Sequence, residues 1–178
     1  ELLRLLREYN NKCPILITSS VQAELDNAYG ISKKAGAEAI FSHAEQTGAK
    51  ALVYRLPNLF GKWCRPNYNS VIATFCHNIA HDMPITINDR STVLNLVYID
   101  DLVKEFKAAL YGKEHRDGKF CYVPVTYRES LGAIADMLYK FKEGRKALQL
   151  PDVSGGFEKA LYSTFLSYLP DDAFSYPL

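Results

Sequence analysis

Short apolar runs alternate with longer stretches of helical periodicity along this chain. That alternation restricts it to α/β architecture with a largely parallel sheet. Leu2, Leu3, Leu5, Leu6 and Tyr9 share one stripe at helical spacing, so the chain is expected to open in a helix. Ile15-Leu16-Ile17 reads as a buried strand ending in Thr18, Ser19 and Ser20, and a helix is predicted from about Tyr29 to Glu45. The next strand starts at Ala51 and runs to about Tyr54. It is followed by RLPNLFG, where Pro57 and Gly61 predict a loop.

Further on, a helix is predicted from about Asn69 to Ala80 with Ile72, Phe75 and Ile79 on one side, then a short extended piece from Pro84 to Ile87. A strand is expected from Leu94 to Ile99, with Asp100 as the cap of the helix that carries Val103, Phe106 and Leu110. A strand from Phe120 to Val123 leads to Thr126-Tyr-Arg-Glu129, a capping-box pattern, before an amphipathic helix through Leu131, Ile134, Ala135, Leu138 and Phe141. A last helix is expected from Gly156 to Tyr168, ahead of an aromatic tail ending at Leu178.

Composition excludes several classes. With 178 residues, 48% of them hydrophobic and 23% charged, the chain has material for a core and does not match disordered or collagen-like sequences. Its net charge is +1 with no basic stripe, which argues against a nucleic-acid partner. No apolar run approaches the roughly 20 residues of a membrane span, and ELLRLLREYNNK lacks the core of a signal peptide. Cys13, Cys64, Cys76 and Cys121 show no CxxC spacing, so we expect reduced thiols, no metal and a cytoplasmic protein.

A doubly wound dinucleotide fold opens with a Gly-rich phosphate turn, and no GxGxxG occurs here. The pattern therefore reads as the later part of such a fold. An uncovered sheet edge and self-association are expected to follow.

The chemistry concentrates near Ser20. Tyr29-Gly-Ile-Ser-Lys33 is a YxxxK spacing, which puts a phenol and an ammonium on one helix face. A free phenol has a pKa of about 10, and a neighbouring cation in a partly desolvated cleft favours its ionised form enough for proton transfer near neutrality. With 12 tyrosines in 178 residues, chance alone supplies about one such pair, so spacing by itself carries little weight. The context adds more: a buried strand ends in Ser19-Ser20 just upstream, at the sheet edge where open α/β folds bind ligands.

In this order, ITSS, YGISK, YRLPNLFG and NLVYIDDLV resemble the extended short-chain dehydrogenase/reductases, the NAD-dependent epimerase/dehydratase family. QAELDNAYGISKKAGAEAIF, GKWCRPNYNSVIATF and LYSTFLSYLPDDAFSYPL resemble its capsular-polysaccharide reductase branch, in which a cupin domain follows. The resemblance implies the later part of a Rossmann-like doubly wound sheet plus a small substrate-binding α/β subdomain. Residues up to about 62 would belong to the back half of the core, and 63–178 mostly to the substrate-binding part.

It also implies roles. Ser20 would orient the substrate, with Ser19 as second choice, Tyr29 would donate the proton, and Lys33 would assist it and hold the nicotinamide ribose. Pro57 and Leu59 would line the nicotinamide end. Asn58, Arg65, Asn69 and Arg90 would contact a UDP-sugar. NADPH is the implied cofactor, with NAD possible, and the implied reaction is reduction of a 4-keto group on a UDP-linked 6-deoxy-N-acetylhexosamine by a homodimer. A nucleotide-sugar epimerase, or a non-catalytic fragment with a folding or interaction role, are the competing readings.

Two departures from relatives bear on this. Val21 and Gln22 occupy the places of the dehydratases' Asp-Glu pair, so dehydration is not expected. Leu94-Asn95-Leu96 replaces an Arg-Asp-Phe that grips a diphosphate, leaving Arg65 or Arg90 as substitutes. His77 and His81, four apart, lack an evident third metal ligand and read as solvated residues; Asp100-Asp101 reads as a helix cap.

Overall fold

A computed structural model describes residues 1–171, so the aromatic tail beyond lies outside the described residues. The chain divides into two compact units. The first comprises Glu1–Pro57 with Lys104–Pro124, and the second comprises Asn58–Val103 with the chain from Val125 onward.

The first unit is built on α1 (Leu2–Glu8), β1 (Ile15–Ser20), α2 (Ala28–Thr47) and β2 (Ala51–Leu56). β1 pairs in parallel with β2, from Ile15 opposite Ala51 to Ser20 opposite Leu56. The return segment adds β5 (Arg116–Asp117) and β6 (Phe120–Cys121), giving the order β1-β2-β6-β5. β6 is parallel to β2, while β5 turns back antiparallel to β6. Ile15, Ala37, Ile40 and Val53 form the buried centre between α2 and the sheet, with Leu3 and Leu6 of α1 against it. Gly48, in the left-handed conformation at φ 73°, ends α2. β1 carries no ladder partner on its outer side among the described residues, and its sequence ILITSS has neither Pro nor charge to blunt that edge.

Charged groups tie the return segment down. Lys50 Nζ reaches Glu114 at 2.8 Å and Arg116 Nε reaches it at 3.0 Å. The lysine hydrogen bond is the main cause holding the Glu114 carboxyl down at about 2, against 4.5 unperturbed. A carboxyl depressed by folding stabilises above its unfolded pKa and loses that contribution as pH falls. We expect wild-type stability to decline between about pH 4.5 and 2, with about 1 kcal/mol of that decline, after solvent screening, missing in Glu114→Gln. Urea melts at pH 6 and pH 2.5 check this, and an identical pH slope in both proteins would refute it.

The second unit holds β3 (Asn58–Phe60), α3 (Val71–Ala80), β4 (Val93–Tyr98), β7 (Tyr127–Ser130), α5 (Leu131–Lys146) and α6 (Gly156–Leu166). β3 is parallel to β4, and β7 is antiparallel to it. α4 (Ile99–Leu110) starts in this unit and finishes in the first. Helices α3, α5 and α6 bury Phe75, Cys76, Leu138, Phe141, Leu161 and Phe165 together with Phe60 and Leu96 of the sheet.

Several local expectations are corrected. RLPNLFG contains a strand rather than only a loop, because Asn58-Leu59-Phe60 finds an in-register partner in Leu96-Val97-Tyr98. Thr126–Glu129 does not form a capping box: Tyr127–Ser130 joins the β4 ladder, and α5 is capped by Ser130, whose Oγ accepts from the Ala133 amide at 3.2 Å. Asp100 lies in the first turn of α4, which follows β4 directly, and pairs with Lys62 at 3.0 Å instead of capping. Ile85 and Ile87, in the segment after α3, pack on the core without joining a strand ladder. The strand at Phe120 stops at Cys121.

Candidate active site

Ser20 closes β1 and Tyr29 lies in the first turn of α2, so one short connection links them. Ser20 is half-buried, and its Oγ accepts from the Gln22 amide at 3.1 Å, capping a 3-10 turn over Val21–Glu24. Ser19 points to the other face of the strand and is buried.

Asn27 caps α2: its backbone is extended, and its Oδ1 accepts from the Gly30 amide at 2.8 Å. A Cβ on Gly30 would lie 2.2 Å from the Leu25 carbonyl oxygen and 2.9 Å from that of Gln22. Only glycine lets the first turn of α2 lie this close to the connection. Sequence reasoning missed both Asn27 and Gly30. The available signals were an Asn three residues before a Gly, and a Gly in a helical turn, where it costs about 1 kcal/mol relative to Ala.

Tyr29 is 52% exposed, and Lys33 Nζ lies 5.6 Å from the centroid of its ring. The phenol and the ammonium thus share one accessible face of α2, as the four-residue spacing requires. Ser20, Tyr29 and Lys33 all belong to the first unit.

The remaining candidates fall at or beyond its boundary. Pro57 is half-buried at the end of the first unit. On β3, Leu59 is exposed and Asn58 Nδ2 donates to the Asn95 carbonyl at 3.2 Å. Arg65 is exposed with its guanidinium carbon 5.5 Å from the Tyr68 ring, and Asn69 is exposed just ahead of α3. Arg90 is engaged at the start of α5, with Nη2 donating to both Asp136 oxygens at 2.7 Å and to the Gly132 carbonyl at 3.3 Å. Arg65 and Arg90 are therefore not equivalent, since among the described residues Arg90 alone of the two is committed to a carboxylate.

Around this second set, Lys62 is held above its ordinary pKa chiefly by its hydrogen bond to Asp100, and Tyr98 is raised by burial. Tyr127, half-buried and donating to Asp101 Oδ2 at 3.1 Å, is pushed up to about 12 by desolvation and that hydrogen bond. His77 and His81 stack at 4.3 Å, and no group of three metal-ligating side chains occurs among the described residues. All four cysteines are free thiols.

The model of the NAD dependent epimerase/dehydratase family matches residues 9–120. A UDP-2-acetamido-2,6-beta-L-arabino-hexul-4-ose reductase of Pseudomonas aeruginosa is 48% identical over 96% of this chain, which spans 46% of that relative. The crystal structure of the capsular polysaccharide assembling protein CapF from Staphylococcus aureus superposes with a TM-score of 0.93 at 49% identity, over 99% of this chain and 48% of that one. A UDP-glucuronic acid 4-epimerase from Bacillus cereus in complex with NAD, 16% identical over 93% of this chain and 64% of its own, shares the fold with a TM-score of 0.73. The chain thus spans about half the length of the curated relative it matches, and it belongs to the NAD dependent epimerase/dehydratase family.

Proposed function

We propose that the whole protein uses NADPH to reduce the 4-keto group of a UDP-linked 6-deoxy-N-acetylhexosamine, in the synthesis of a capsular or surface polysaccharide precursor. The observation that carries this reading is the Tyr29–Lys33 pair on one accessible face of α2, directly after the strand ending in Ser20. The identity to a hexul-4-ose reductase supports it. The residues present fit a nicotinamide dinucleotide: a half-exposed phenol and an ammonium one turn away, following the carboxyl end of a parallel strand. When bound, that cofactor supplies the hydride.

Within this reading Ser20 holds the keto oxygen and Tyr29 delivers a proton to it. The Lys33 ammonium stabilises the charge that develops on the phenol oxygen and holds the ribose. Pro57 and Leu59 line the nicotinamide end, and Asn58 and Asn69 contact the sugar nucleotide. Arg65 is the stronger diphosphate ligand, because Arg90 would first have to leave Asp136. A cytoplasmic homodimer without nucleic-acid or membrane partners completes the proposal.

The test is NADPH oxidation by the whole protein given a UDP-4-keto-6-deoxy-N-acetylhexosamine. Stoichiometric oxidation is expected. Sugar interconversion with no net cofactor consumption would replace the reductase with an epimerase.

A further inference from the structure

We infer that the first unit carries a second ligand site, for a small monocarboxylate, on the side of the sheet opposite the one Ser20 faces. A cavity of about 480 Å³ lies there, and Ser19 and Arg55 are part of its wall. These two residues are directly paired across the β1–β2 ladder, so their side chains leave the same face of adjacent strands, ~5 Å apart. Ser19 is 5% exposed, and among the described residues neither its Oγ nor the buried Arg55 Nε has a hydrogen-bond partner. Two neighbouring buried donors without acceptors are uncommon in folded proteins, and here both belong to residues that line one cavity.

The surrounding groups select the ligand. The Arg55 guanidinium carbon lies 3.6 Å from the centre of the Phe120 ring, and its Nη1 donates to Glu24 at 2.9 Å. The unpartnered Nε–H belongs to the residue paired with Ser19, and an arginine donor together with a hydroxyl suits carboxylate oxygens. Phe41, packed edge-to-face on Phe120 at 5.4 Å, and Ile31 provide apolar wall for the body of the acid. Lys119 sits 4.9 Å over the Phe41 ring and adds positive charge. Glu24, Asp26 and Glu38 border the cavity along with Lys34, Arg55 and Lys119, so its charges balance and a monoanion is favoured over a dianion such as phosphate. The site shares β1 and α2 with Ser20, Tyr29 and Lys33, but uses Ser19, Ile31 and Phe41 rather than those residues.

Isothermal titration of the chain with benzoate and hexanoate tests this, with hexanamide and inorganic phosphate as comparators. We expect saturable binding of the two acids with a Kd on the order of 1 mM or tighter, and weaker binding of both comparators. Ser19→Ala removes a single oxygen and is expected to weaken acid binding about tenfold while its melting temperature stays the same or rises. Arg55→Gln, confirmed folded by circular dichroism, is expected to weaken it at least as much. Equal binding of hexanoate and hexanamide, unchanged affinity in folded Ser19→Ala, or no saturable binding of either acid would overturn the inference.

Discussion

If the whole protein is the reductase proposed above, replacing Tyr29 by Phe is expected to lower its rate of keto-group reduction about 10²- to 10⁴-fold, with little change in substrate affinity or melting temperature. The substitution deletes one oxygen from a side chain that is 52% exposed, so no core packing is lost. Lys33, one turn further along α2, keeps its place. What disappears is the acidic proton of the phenol, which the proposed mechanism uses in the transition state and not for binding. The loss should therefore fall on kcat, leaving KM within a few-fold. Lys33→Met in the same assay separates charge from packing, since methionine preserves helix propensity and most of the aliphatic length. A Tyr29→Phe enzyme with wild-type kcat would remove Tyr29 from the mechanism.

The second large effect is on stability. Glu105 is 3% exposed, yet both of its carboxylate oxygens are occupied. Oε1 accepts from the Tyr54 hydroxyl and from the His115 amide, each at 2.9 Å, and Oε2 accepts from His115 Nδ1 at 2.7 Å. Burial, followed by the hydrogen bond to Glu105, holds the Tyr54 hydroxyl far above its ordinary pKa. Glu105 thus ties α4 to β2 and to the loop before β5. Glu105→Ala would leave three donors without an acceptor and is expected to cost about 3–5 kcal/mol in guanidinium melts. Glu105→Gln keeps an acceptor for Tyr54 and is expected to recover at least half of that loss. A Glu105→Ala protein within about 1 kcal/mol of the parent would show that water substitutes for the carboxylate.

Nothing about Glu105 was legible beforehand. An acidic residue in a charged stretch of an amphipathic helix ordinarily faces solvent. Its burial depends on Tyr54, 51 positions away, and on a loop that folds back over it. Helix interiors were legible for the opposite reason. The periodic residues of α3 and α5 bury the stripes that their spacing implies, because a helix satisfies its own backbone locally. Strands β3 and β7 failed the same reading. A three- or four-residue strand exists only where a neighbour offers a ladder, and the β4 residue that pairs with both, Leu96, lies 38 positions after Asn58 and 31 before Tyr127.

By itself the sequence determined the α/β class, the positions of the long helices, and the pairing of Tyr29 with Lys33. Each follows from a period within a few residues. The tertiary structure alone decided that Ser19 and Arg55 stand side by side, that Arg90 is spent on Asp136, and that Gly30 must lack a side chain. These depend on which distant backbone or charge arrives alongside, and no local period encodes that.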